Sequence, residues 1–109
     1  MKKYMIFGFT NIDLVDKNSE PSMEERVEIN QRWRTWMSEM GELLLDMGSP
    51  LINGKPVDKN GLTRQSVSAI SGYMKIQAED LNHALELLNK SPLFENGHAQ
   101  NYEIFECIM

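Results

Sequence analysis

Apolar and polar positions recur with two different periods along this chain, and the changes of period divide it into elements. From Lys3 to Thr10 (KYMIFGFT) both alternating sets are apolar, Tyr4 and Ile6 on one and Met5, Phe7 and Phe9 on the other. That is the pattern of a strand in a sheet covered on both faces. Asn11 to Glu20 is polar and irregular and reads as a loop. From Ser22 to Pro50 the period becomes helical: Ile29, Trp33, Trp36, Met40, Leu43 and Met47 recur at alternating spacings of four and three, widened by Met37 and Leu44. One long amphipathic helix is predicted. Its start carries Ser22 with Glu25 three residues on, the spacing of a capping box, and its stop is read at Gly48 followed by Pro50. The opposite face holds Glu24, Glu28, Arg32, Thr35, Glu39, Glu42 and Asp46. A solvated face explains those charges.

Beyond the helix, Asn53-Gly54 and Asn60-Gly61 are hairpin signals, because the favoured two-residue turns need positive φ at their centre. A hairpin or meandering strand is predicted in the fifties, turning at Asn60-Gly61 into Leu62 to Ser68. Ile70 to Ala78 alternates, with Ile70, Met74, Ile76 and Ala78 against Ser71, Tyr73, Lys75 and Gln77, so one face packs on a core and the other meets something wetter. Asp80 is an N-cap for a second helix whose Leu81, Ala84, Leu85 and Leu88 form one stripe ending before Ser91-Pro92. The last strand, Tyr102 to Met109, is again apolar on both sets. Strand, helix, strand pair, helix, strand is the split β-α-β order of a ferredoxin-like α+β fold: an antiparallel sheet with both helices on one face. Two helices cover one side of such a sheet only. Because the terminal strands are apolar on the other side too, a homodimer packed sheet to sheet is expected.

Composition narrows the partners. At 109 residues the chain makes one domain, residues 1–109, with a core of its own. A net charge of −5 without a basic cluster argues against nucleic acid and against an anionic membrane surface. The N-terminal apolar run is too short for a signal or a spanning helix, and a lone Cys107 cannot form an internal disulfide. A soluble protein of the reducing cytoplasm is expected. No H-x-x-x-H or C-x-x-C spacing joins the two His into a metal site, so neither a metal nor another cofactor is expected.

The stretches GELLLDMGSPL from Gly41, SGYMKIQAEDLNHALELLNKSP from Ser71, ENG from Glu95 and the closing YEIFECIM together resemble the YCII-related family, which includes the DGPF-domain proteins. The resemblance covers nearly the whole chain. It implies the ferredoxin-like fold, dimers of the α+β barrel type and a cleft near the dimer interface, on small bacterial proteins whose reactions are mostly unassigned. In members nearest the namesake, a His early in the first helix and an Asp of an Asp-Pro pair after the second form a proposed acid/base dyad. Here Asn30 falls near the first position and Ser91, before Pro92, at the second. Neither transfers protons near neutral pH as that pair would. The DGPF tetrapeptide is absent too, Leu62 to Ala69 occupying its place.

The remaining candidates are weighed singly. His83, on the polar face of the second helix, reads as a surface histidine, whereas His98, in a loop after Asn96-Gly97, is better placed to border a cleft. Cys107 reads as an inert thiol in a strand, and Glu42 with Asp46 as solvated charges. Trp33 and Trp36 belong to the core stripe, but an amphipathic Trp beside a cleft also makes a pocket wall. Arg34 borders them, and Tyr73 with Lys75 supplies polar groups of the kind a small anionic or aromatic ligand needs. Ligand-pocket candidates are therefore Asn30, Trp33, Arg34, Trp36, Tyr73, Ser91 and His98. Three readings follow: a small-molecule cleft whose chemistry does not use the family dyad, a non-catalytic dimerisation or accessory module, and a cofactor-independent oxygenase-like or isomerase-like enzyme by fold analogy. A cleft lined by Trp, Tyr and convergent polar groups favours the first; one filled by Met side chains favours the second.

Overall fold

The helix expected from Ser22 to Pro50 stops at Gly41, and the residues expected to complete it form a strand instead. In the computed structural model, which describes residues 1–9, 22–52, 54–62, 70–94 and 101–108, α1 spans Met23–Met40. Ser22 caps it as expected, its Oγ accepting the Glu25 N–H at 3.2 Å. Gly41 ends it with φ 53° and ψ −122°, a backbone that side chains avoid, and its N–H still donates to the Met37 carbonyl. A 3₁₀ turn at Gly41–Leu43 then feeds strand β2, Leu44–Pro50. Gln77 Nε2 donates to the Glu42 carbonyl at 2.8 Å and ties this turn to the sheet. The apolar run Leu43 to Met47 fits either period on its own. The free edge of a neighbouring strand decides for the extended form.

Strand β1 (Lys2–Phe9) precedes α1; after β2 come the short hairpin strands β3 (Val57–Asp58) and β4 (Gly61–Leu62), then β5 (Ile70–Ala78), α2 (Leu81–Asn89) and β6 (Asn101–Cys107). The main sheet runs β2-β5-β1-β6, antiparallel throughout. With both helices packed on one face, this is the ferredoxin-like α+β fold. The strand paired with β5 is thus β2, not a strand of the fifties. Those residues form the separate β3-β4 hairpin, which turns at Lys59-Asn60, one residue before the expected place, with Asp58 Oδ1 accepting the Asn60 N–H at 2.7 Å. The loop expected at Asn11 to Glu20 and the strand expected beyond Leu62 lie outside the described residues.

The helix-facing side of the sheet carries the core. Tyr4, Ile6, Met74, Ile76 and Ala78 from the two central strands pack with Trp36 and Met40 of α1 and Ala84 and Leu88 of α2, all buried. Side chains of this size contribute about 1.5–3 kcal/mol each when fully buried. Trp36 Nε1–H donates to the Leu87 carbonyl at 2.9 Å, so the one polar atom of that side chain links the two helices. Asp80 caps α2: its Oδ1 accepts the His83 N–H at 2.8 Å, while His83 Nδ1 accepts the Glu79 N–H at 3.0 Å. His83 is a capping residue in this fold. Among the described residues no helix lies over the other side of the sheet. Phe7 and Phe105 meet there edge to face, with centroids 5.8 Å apart, and Phe105 is 47 % exposed.

Candidate functional site

A single row of paired residues crosses the whole sheet, and its composition opens a cavity. Pro50 pairs with Gly72, Gly72 with Gly8, and Gly8 with Tyr102. On the side where Ile6 and Met74 fill the space under α1, this row sets two glycines side by side on the central strands. Without side chains there, the helix has nothing to rest on, and a cavity of about 430 Å³ lies between them. Gly72 also marks a close approach, since a Cβ there would stand 3.2 Å from the Ser49 carbonyl oxygen.

The wall above the floor comes from α1. Asn30, Trp33, Arg34 and Met37 occupy successive positions along one side of that helix, and all border the cavity. Met47, Gly48, Ser49 and Pro50 of β2 close one flank, Ser71 and Met74 belong to β5, and Leu93 comes from the turn after α2. Gly48 is what lets the flank come so near: at φ 72°, its missing Cβ would overlap the Tyr73 carbonyl oxygen. Asp46 Oδ1 accepts the Gly48 N–H at 2.8 Å and fixes the kink, and the ladder between β2 and β5 shifts register on either side of Asp46. Asp46 is therefore a backbone-shaping residue as well as a solvated charge.

Of the expected pocket residues, the structure brings Asn30, Trp33, Arg34 and Tyr73 together around one cavity. Tyr73 does so from a strand position whose register partner is Phe7, on the open face. Trp36 does not border it. Its ring is buried in the core and supports the cavity indirectly, standing edge to face with Trp33 at 5.7 Å between centroids. Ser91 also lies off the cavity, its Oγ donating to the Leu88 carbonyl at 2.7 Å as part of the end of α2, although Leu93 two residues on reaches the wall. His98 lies outside the described residues. The flank from Met47 to Pro50 and the floor at Gly8 and Gly72 escaped the sequence reading. Isolated glycines inside strand patterns, at Gly8 and Gly72, were the available signal of a close approach.

The lining is mainly apolar, and among the described residues Arg34 is its one charged side chain. Among the described residues Arg34 has no ion-pair partner; the ion pair there is Lys2 with Glu106 at 3.4 Å, on the far edge of the sheet. On the adjoining strand, Tyr102 stacks on Phe94 at 5.4 Å, and burial raises the pKa of its phenol above the ordinary value. No three His, Cys, Asp or Glu side chains among the described residues gather as a metal-ligand set. No helix among those residues is long and apolar enough to cross a membrane.

No protein-family model matches the chain, and no curated protein sequence matches it. Among solved structures it is similar to 5-chloro-2-hydroxyhydroquinone dehydrochlorinase (TftG) from Burkholderia phenoliruptrix AC1100, in complex with 2,5-dihydroxybenzoquinone. The similarity has a TM-score of 0.55 at 10% identity and covers 94% of this chain and 90% of that one. At that identity the likeness is one of fold.

Proposed function

We propose that this protein is a homodimer of YCII-related type that binds a small molecule in the cavity under α1, one per subunit, with any turnover using residues other than the family's His/Asp pair. The observation that carries the reading is the cavity itself: about 430 Å³, within the range of small-ligand sites, roofed by Trp33 over a floor without side chains. Met37, Met47 and Met74 line it but leave it open, which weighs against an accessory module with a filled cleft. Asn30 and Ser91 stand at the dyad positions, and neither side chain transfers protons near neutral pH, which supports chemistry outside that pair. The fold likeness to an enzyme solved with a quinone makes a small planar ring a reasonable first probe.

Dimerisation rests on the uncovered sheet face, where Met5, Phe7 and Phe9 are half-buried and Phe105 is exposed. A second copy applied to that face buries it and leaves the cavities on the outer sides.

The test is a thermal-shift screen against small metabolites and quinones, because a ligand that binds only the folded protein raises Tm by mass action. A reproducible rise that Trp33→Ala removes supports the reading. A screen without any rise, repeated at millimolar ligand, would sink it in favour of the accessory-module alternative.

A further inference from the structure

We infer that the cavity selects a small amphipathic monoanion, an oxyanion head on a flat apolar body, and that Arg34 is the residue that reads the charge. This rests on the ligand-binding reading above and adds its chemical class. Three observations combine. Arg34 borders the cavity and is the only charged group among the described residues of its lining, in a protein whose net charge is −5. It has no ion-pair partner among the described residues, and Glu39, which shares a shallow outer groove with it, is not within ion-pair distance. The described lining otherwise joins apolar Ile6, Trp33, Met37, Met74 and Leu93 around a glycine floor with the neutral polar groups of Asn30, Ser49 and Ser71, which suits a flat, mainly apolar body, and among the described residues it holds no carboxylate to repel the head.

The chemistry of the side chain supports the choice. A guanidinium presents a planar fork of donors that meets two oxygens of a carboxylate or sulfonate at once. Trp33 and Arg34 both border the cavity, so body and head are recognised by consecutive residues of one helix. A cationic ligand would meet Arg34 with no compensating carboxylate among the described lining residues. A neutral one would leave the guanidinium unmatched and gain only apolar burial.

Two fluorescent probes with the same rings separate the effects: 8-anilinonaphthalene-1-sulfonate carries a sulfonate, and N-phenyl-1-naphthylamine lacks it. The full-length protein is expected to bind the sulfonate roughly tenfold more tightly, less so as salt rises, as for an exposed charge contact. Trp33→Ala weakens both probes, which places them in the cavity. Arg34→Gln removes the preference, weakening the sulfonate far more than the neutral probe, and Arg34→Lys retains part of it. If neither probe binds, or Trp33→Ala affects neither, the cavity reading fails and this inference with it. If both bind and respond to Trp33→Ala but wild type shows no preference, or Arg34→Gln leaves the preference intact, the ligand site stands and the monoanion assignment is overturned.

Discussion

Glycine at two positions does different work, and substitution separates the two. Gly41 has open space around its missing Cβ, so Gly41→Ala meets only the unfavourable backbone and should cost about 1–3 kcal/mol in urea unfolding. At Gly48 the same backbone strain is joined by overlap with the Tyr73 carbonyl, so Gly48→Ala should cost clearly more, at least about 3 kcal/mol, and should disturb β2. Equal costs at the two sites would refute the close approach. Tyr102 gives a pH prediction. Its folded-state pKa is raised by burial, so its contribution to stability is complete below the unfolded value of 10.0 and is lost as pH climbs towards the folded value. Stability should therefore fall in that alkaline window, and Tyr102→Phe should flatten part of the slope, as followed by Tm between pH 9 and 11.

At the level of elements, caps and periods were legible where a single side chain enforces the local structure. Ser22 and Asp80 stand where the spacing put them, each accepting the expected N–H. Asp80→Ala should lower stability by about 1 kcal/mol by freeing the His83 N–H and loosening the start of α2. A variant as stable as wild type would show that the His83–Glu79 bond alone holds that end. The span of α1 was misread because Leu43 to Met47 satisfies a helical stripe as well as a strand. What overrode the stripe is not local: Gly41 interrupts the helix, and β5 offers an edge for Leu44–Pro50 to pair with. Trp36 shows the same limit, since the stripe that identified it as apolar could not say that its N–H would meet Leu87 on the other helix.

For the whole molecule, the decisive feature is a sheet whose helices, among the described residues, all pack on one face. The chain measures 43 × 41 × 18 Å, a two-layer slab, and its radius of gyration of 15.5 Å exceeds the roughly 13 Å usual for a compact domain of this length. Light scattering at micromolar concentration should give twice 12.6 kDa. Phe105→Glu, on the open face and away from the core under the helices, should yield a folded monomer with an unchanged far-ultraviolet spectrum. A wild-type monomer would remove the dimer from the proposal without touching the cavity.

By itself the sequence determined the alternation of strands and helices, the Ile29-Trp36-Met40 part of the α1 stripe, the α2 stripe, the buried Met74, Ile76 and Ala78 of β5, and the imbalance between two helices and a doubly apolar sheet. Those follow from period and capping, which are properties of neighbouring residues. Tertiary structure alone decided where α1 ends, that Leu44–Pro50 joins the sheet, and that Gly8 and Gly72 meet under Trp33 and Arg34. These depend on register between strands distant in sequence, and a shift of one residue would carry every side chain to the opposite face. A cavity formed by two absent side chains leaves no periodic trace, so it becomes visible only when the ladder sets the glycines side by side.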